Sequence, residues 1–454
     1  MQTKRHEIDM CTGSLAPKIL AFALPLMLSS IMQLLFNAAD IIVVGKFAGD
    51  ASLAAVTSTS SLINLLINLF MGLSIGANVT VAQSIGHGDT DRAERAVHTA
   101  ILLSLCSGVF LGIFGVFAAR QLLELMSSPE NVIGLSTLYL RIYFLGMPAS
   151  LFYNFGSALL RAGGDTRRPL NYLTIAGIIN ALLNLLLVIV FHLDVAGVAI
   201  ATIISQYISA ALVLRCLTRE TGPLRLDLKA LRIDRPVLGE IVRIGLPAGF
   251  QGIVFSLSNV VIQSSINSFG DIVMAGSGAS ANIEGFVYMG MNAFHQTCLT
   301  FTSQNYGAGK CERVDKVLLW CQGFVIFTGL FLGGLACFFG RTLLGIYSPS
   351  PDVIDQGMIR LMYVAAPYFL CGIMDVMVGS LRGLGWSLAP MVVSILGACG
   401  LRLIWVATVF QIYHTPQCLY LSYPVTWIIT GGVHVLCFLF IRREAYAKAA
   451  APTA

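Results

Sequence analysis

The chain has 454 residues, 56% of them hydrophobic and only 11% charged, with a formal net charge of +5 and a mean hydropathy of +0.79. Soluble domains carry about 25% charged residues, so a soluble fold is excluded and an integral membrane protein is expected. The apolar runs extend over about twenty residues or more instead of alternating over about ten, which excludes a strand barrel and points to an all-α membrane protein.

Twelve spans are expected, near 17–44, 53–83, 96–118, 132–159, 169–191, 195–217, 238–266, 273–304, 314–339, 353–381, 388–412 and 418–441. The first sets the theme. It contains Pro25, which removes one helical hydrogen bond and makes a hinge, and fifteen residues later Asp40, followed by Ile41, Ile42, Val43 and Val44. A carboxylate at membrane depth is costly, so it usually faces an interior chamber on an ion or proton path; the alternative is an acid snorkelling from a helix end. Lys4 and Arg5 precede no short apolar stretch with a small-residue cleavage site, so no cleaved signal peptide is expected.

The connections carry an orientation signal. One side of the expected topology holds 22 of the 28 basic residues, among them Lys4, Arg5, Arg92, Arg161, Arg167, Arg168, the cluster from Arg215 to Arg243, Arg313, Arg382 and Arg442. The positive-inside rule then puts both termini in the cytoplasm. These charges hug span ends, so no nucleic-acid partner is expected. Eleven scattered cysteines without a CxxC pair, and seven histidines without ligand spacing, give no metal site. His295 is the one histidine expected deep in a span.

The chain also repeats itself. "AQSIGHGDTDRAERA" (82–96) recurs as "SQNYGAGKCERVDKV" (303–317), matching Gln83 with Gln304, Gly86 with Gly307, Gly88 with Gly309 and Arg92 with Arg313 at a shift of 221. Leu160-Arg161, Gly164 and Pro169 meet Leu381-Arg382, Gly385 and Pro390 at the same shift, Pro25 meets Pro247 at 222, and Arg141 with Pro148 meet Arg360 with Pro367 at 219. So many matches at nearly one shift imply duplicated halves. Six spans in each half put both halves into the membrane from the same side, related by an axis along its normal. The expected organisation is an N-terminal six-helix lobe over 1–217, a cytoplasmic linker over 218–237, a C-terminal six-helix lobe over 238–442 and a cytoplasmic tail over 443–454.

Three acids sit deep: Asp40 in span 1, Glu284 in span 8 and Asp375 in span 10. Burial favours the neutral form of a carboxylic acid, so each is a candidate proton carrier or counter-charge. Around Asp40, span 5 offers Asn180 and Asn184 on one helical face, span 1 offers Asn37, and span 2 offers Asn64 and Asn68. These amides either donate to an ionised Asp40 and release it on protonation, or simply hold helices together. Arg402 reads as the one basic residue deep in a span, with Asp375 or Glu284 as its expected partner. Met27, Met32, Phe36, Phe70, Phe152, Tyr153, Phe286 and Met289 are the candidate cavity lining, since aromatics and methionines suit apolar cations of varied shape. Stripes of this kind also serve plain helix packing.

Across nearly its whole length the chain resembles the multidrug and toxic compound extrusion (MATE) transporters of the MOP flippase superfamily. The resemblance rests on Pro25 with Asp40, on "AQSIGHGD" with its echo "SQNYGAGK", on "LLRAGGDTRRP" and on "GSLRGLGWSLAP". It implies twelve helices in two six-helix lobes around a V-shaped central cavity, with no enzymatic activity and no cofactor. It also implies export of lipophilic, usually cationic solutes in exchange for protons or sodium. The family's span 1 acid corresponds to Asp40, its bending proline to Pro25 and its span 5 polar pair to Asn180 and Asn184. Two departures matter. Several proton-coupled members carry a carboxylate where this chain has Asn184. The sodium-coupled NorM-like branch has a glutamate where this chain has Phe255, which favours protons over sodium; Asp375 matches that branch's span 10 acid. The pattern is similar to the DinF- and MepA-like branches.

The expected function is therefore secondary multidrug antiport at the cytoplasmic membrane, by a monomer in contact with lipid. The alternative is a flippase for a lipid-linked saccharide, against which the deep spans hold few basic groups for a pyrophosphate. An intramembrane enzyme is disfavoured because the deep acids lie on three separate spans.

Overall fold

A computed structural model describes residues 7–126 and 129–450. Lys4, Arg5 and the last four residues of the tail lie outside them. The described chain is helical throughout: α1 (Leu15–Phe47), α2 (Asp50–His87), α3 (Thr90–Leu125), α4 (Glu130–Leu145), α5 (Met147–Ala162), α6 (Arg167–Asn184), α7 (Asp194–Arg219), α8 (Arg235–Asn267), α9 (Asp271–Gly307), α10 (Cys311–Phe338), α11 (Gly340–Tyr347), α12 (Pro351–Arg360), α13 (Phe369–Gly383), α14 (Leu388–Ser394), α15 (Leu401–Ala407), α16 (Val409–Ile412) and α17 (Pro416–Ala450). Wider π-helical turns follow α6 (Leu185–Val190), α12 (Leu361–Ala365) and α14 (Ile395–Gly400).

Among the described residues, nine helical segments are long and apolar enough to cross a membrane, and two bent pairs bring the number to eleven. Twelve spans were expected. The expected span that is missing from this number is 273–304: α9 has 37 residues, but it carries Glu284, Asn292, His295 and Gln296 along with many small polar residues and is not among the helices apolar enough to cross. The bent pairs are α4 with α5, at 49°, and α12 with its π turn and α13, at 40°. They fall at Pro148 and Pro367, the prolines matched between the two halves, because each proline denies its helix a backbone donor and opens the turn before it.

Loop geometry repeats as well. Gly49 and Gly270 have φ of 83° and 90°, Gly88 and Gly309 of 80° and 69°, and Gly164 and Gly385 of 97° and 91°. Each pair is 221 residues apart. The left-handed backbone at these positions explains the glycines. Gly88 closes α2, and the next residue, Asp89, caps α3 by accepting from Arg92 N at 2.8 Å.

The contacts group into two compact units. The first comprises Met1–Asp9 and Leu28–Gly249; the second comprises Met10–Met27 and Phe250–Ala454. Two helices are thus shared: α1 changes unit three residues after Pro25, and α8 three residues after Pro247. Within the first unit, α2 and the first half of α8 meet through glycines. A Cβ on Gly72 would lie 2.1 Å from Gly249 N, and one on Gly76 2.2 Å from Ile241 O. Small residues four apart on both helices allow this backbone approach, which in lipid substitutes for hydrophobic association. The first unit's core gathers Phe155, Leu159, Val213 and Ile241, with a second cluster around Leu111, Leu140 and Phe144. The second unit packs around Met374, Phe410, Tyr420 and Trp427, with Phe255 against them.

The matched arginines fasten chain segments within each unit. Arg92 makes two bonds of 2.6 and 2.7 Å to Glu240 near the start of α8. Arg313 donates to the carbonyls of Met10, Thr12 and Gly13 just before α1. Both anchor one chain segment to another.

Candidate substrate and ion site

Asp40 sits in the last third of α1, half-buried, in the first unit. Opposite it, α6 presents Asn180 and Asn184 one turn apart, with 6% and 1% of their surface exposed. Asn184 Nδ2 donates to Asp40 Oδ1 at 2.5 Å and to Asn180 Oδ1 at 2.9 Å. Asn180 Nδ2 reaches the hydroxyls of Thr202 and Ser205 on α7, both at 3.4 Å. The result is one polar chain running from α1 through α6 to α7. Asn184 ends the regular part of α6, directly before the π turn at Leu185. Its Oδ1 is buried and accepts no hydrogen bond among the described residues.

The chain borders a cavity of about 130 Å³ whose walls include Gln33, Phe36, Asn37, Asp40, Tyr153 and Asn180. Gly177 shapes one wall: a Cβ there would lie 1.9 Å from the Phe36 ring, so only glycine admits that ring. Tyr153 fixes another wall by donating from its hydroxyl to Pro169 O at 3.0 Å. Five of the residues singled out from the sequence, Asp40, Asn37, Asn180, Phe36 and Tyr153, therefore line one chamber, and Asn184 ties into it.

Other candidates lie elsewhere. Asn64 is exposed on α2, and neither it, Asn68 nor Met32 lines the chamber. Phe70 packs against the first unit's core clusters and Phe152 is buried within one of them, so both serve packing. In the second unit, Met27 approaches Gly290, Phe286 is 40% exposed and Met289 is half-buried.

Sequence reasoning missed a polar stripe. Thr202, Ser205, Gln206 and Ser209 all line the chamber from α7. They fall at i, i+3, i+4 and i+7 within an apolar span, a pattern that marks one helical face, so the signal was present. Gln33, which falls with Phe36, Asn37 and Asp40 at the same spacing on α1, and Ser150 and Asn154, four apart on α5, are further lining residues.

The second unit holds its charges differently from the expectation. Glu284 is paired with Arg360, not Arg402, through two bonds of 2.9 Å, and Arg360 also donates to Ser277 at 2.8 Å. Arg402 instead stacks on the Tyr423 ring at 4.0 Å and donates to Thr426 at 3.3 Å. Nor is Arg402 the one deep cation: Arg360 and Arg382 are 7% and 5% exposed. Arg382, expected among the loop charges, donates to Gln251 at 2.8 Å. Asp375 lies beside Tyr288 and Arg382, and its backbone carbonyl meets His295 Nδ1 at 2.6 Å. His295 is joined in depth by His434, which contacts Ser394 at 3.0 Å.

The geometry is that of a small cavity bordered by a carboxyl group held by amides. Comparisons with known proteins bear on the family. A sequence profile of the MatE family matches the chain twice, over 25–186 and over 247–408, and the second match begins and ends 222 residues after the first. "Probable multidrug resistance protein YoeA" of Bacillus subtilis is 28% identical over 421 residues, covering 90% of each chain. "FAD transporter" of Shewanella oneidensis is 24% identical, covering 94% of each. A solved MATE structure in the bent conformation superposes with a TM-score of 0.90 at 20% identity, covering 97% of this chain and 98% of the other. The two family matches take in Pro25, Asp40, Asn180 and Asn184 in the first half and Pro247 in the second: the chain belongs to the MatE family and is a multi-pass MATE transporter, not an enzyme.

Proposed function

We propose that this transporter exports lipophilic, cationic solutes across the cytoplasmic membrane in exchange for protons, by alternating access, with both termini in the cytoplasm. The observation that carries the reading is the hydrogen bond from Asn184 to Asp40 at the wall of the chamber. An ionised Asp40 needs that donor. A proton arriving from outside removes the need and turns the carboxyl into a donor, for which the unpartnered Asn184 Oδ1 is a ready acceptor. The polar chain then rearranges and α1 is released from α6. Pro25, whose ring leaves the carbonyl of Ala21 without its helical donor, is the place where α1 can yield. A change of shape there narrows the first-unit chamber and expels the solute; loss of the proton to the cytoplasm resets it.

Energetics constrain the exchange. One charge crossing 100 mV is worth about 2.3 kcal/mol, nearly a fiftyfold gradient. Exchange of one monovalent cation for one proton cancels that electrical contribution, so the pH gradient alone drives it unless more protons enter. The orientation rests on the concentration of basic residues on one side of the topology.

The test is efflux of ethidium from proteoliposomes under imposed pH or sodium gradients. Wild-type efflux should follow the pH gradient and ignore sodium. The same vesicles loaded with FAD, or with a fluorescent lipid-linked saccharide, test the carriage of anions and lipid flipping; transport of either in place of ethidium would overturn the proposal.

A further inference from the structure

We propose that a groove between the first turn of α6 and the last turns of α7 binds the phosphate headgroup of an anionic phospholipid whose acyl chains lie along the outer faces of those two helices. The groove encloses about 340 Å³ and is lined by Arg168, Tyr172, Leu212, Arg215, Arg219 and Glu220, with Cys216 at its base. It holds three guanidinium groups and one carboxylate. The carboxylate is already engaged: Glu220, 4% exposed, accepts from Arg168 Nη1, and the fully buried Asp165 accepts from Arg168 Nε. Arg168 Nη2 remains buried with no acceptor. Arg215 and Arg219 stand four residues apart on one exposed face of α7 and make no ion pair among the described residues. The groove therefore offers planar donors that its own acids do not use, and a phosphate, with several acceptor oxygens, matches them.

The helix faces below the groove decide between a lipid and a free anion. On α6, Tyr172 is followed along one face by Ile175, Ile178 and Leu182, which are 45%, 52% and 60% exposed. On α7, Arg215 continues through Ala211 and Ile208 to Ile204, which is 39% exposed. Apolar side chains exposed on membrane-crossing helices face acyl chains. Two such tracks lead from the arginines, so the occupant has a charged head and long apolar tails. Basic pockets between membrane helices are suited to such headgroups.

Native mass spectrometry of the full-length protein in detergent tests this, with dioleoylphosphatidylglycerol, dioleoylphosphatidylcholine and inorganic phosphate as probes. Wild type should retain phosphatidylglycerol well above phosphatidylcholine, and millimolar phosphate should not displace it. The R215Q/R219Q variant should lose about fivefold in retention per arginine, roughly twenty-five-fold in all. Both side chains are exposed, and a thermal melt checks that the variant is folded; if the double variant does not purify, R215Q and R219Q alone should each lose their share. Equal retention by wild type and variant overturns the proposal. An equal loss in K229Q/R232Q, whose charges lie outside the groove, overturns it in favour of non-specific charge, and displacement by phosphate overturns it in favour of a free-anion site.

Discussion

Asp40 and Glu284 are both acids within long helices, yet their surroundings give them opposite behaviour. Glu284 is locked by two bonds to Arg360 and has the whole pair buried, with the arginine's guanidinium facing the Tyr420 and Tyr423 rings at 5.7 and 5.9 Å. Removing one partner leaves an uncompensated buried charge, which costs about 3–5 kcal/mol. Glu284→Leu should accordingly lower the unfolding temperature of the purified protein sharply, while Glu284→Leu with Arg360→Met should recover most of it. Asp40 has one neutral donor and a chamber beside it, so its charge is held loosely enough to change. Asn184→Ala removes that donor and the link to Asn180 together. Efflux should fall on the order of tenfold, as for a lost hydrogen bond to a charged group, with the melting temperature nearly unchanged; a lower melting temperature with unchanged specific efflux would make Asn184 a helix-packing residue only.

At the scale of elements, α1 and α8 are the parts that change unit, each three residues beyond its proline. A hinge at that place separates two portions of a helix that pack with different partners. Pro25→Ala restores the missing backbone donor and stiffens α1, so transport should slow while expression and folding hold; an unchanged rate would remove the hinge from the mechanism. The contact of α2 with α8 makes a second demand. Gly72→Ala forces a Cβ to within 2.1 Å of the Gly249 backbone, and overpacking of this kind costs about 1–3 kcal/mol. Gly239→Ala, on the same α8 where nothing lies within 4 Å, is the control and should be neutral or slightly stabilising in a thermal melt.

For the whole molecule, most of the architecture was legible because membrane helices must satisfy their own backbone and therefore advertise themselves as long apolar runs. Duplication was legible because the turns need particular residues: Gly88 and Gly309 share a left-handed backbone, as do Gly164 and Gly385. Gly49 and Gly270 obey the same rule, but among their immediate neighbours they share only the aspartate that follows and escaped notice. The stretch 273–304 was read as a span like the others, but α9 is not among the helices apolar enough to cross a membrane, because Glu284, Asn292, His295 and Gln296 interrupt its apolar run. The chamber was legible in its acid and amides, since each is conspicuous within an apolar run. Pairing was not. Which arginine meets Glu284 depends on the helix faces that come together across the second unit, and linear spacing between α9, α12 and α15 holds no record of that. Phe152 shows the same limit, since an aromatic stripe reads alike whether it lines a chamber or fills a core.

The central claim, that protonation of one chamber carboxyl drives export, is most directly tested by Asp40→Asn in proteoliposomes holding ethidium under an imposed pH gradient. The account predicts that the variant is folded and inserted, still binds ethidium, and moves none against its gradient while wild type does. Extrusion by the variant at the wild-type rate would contradict it.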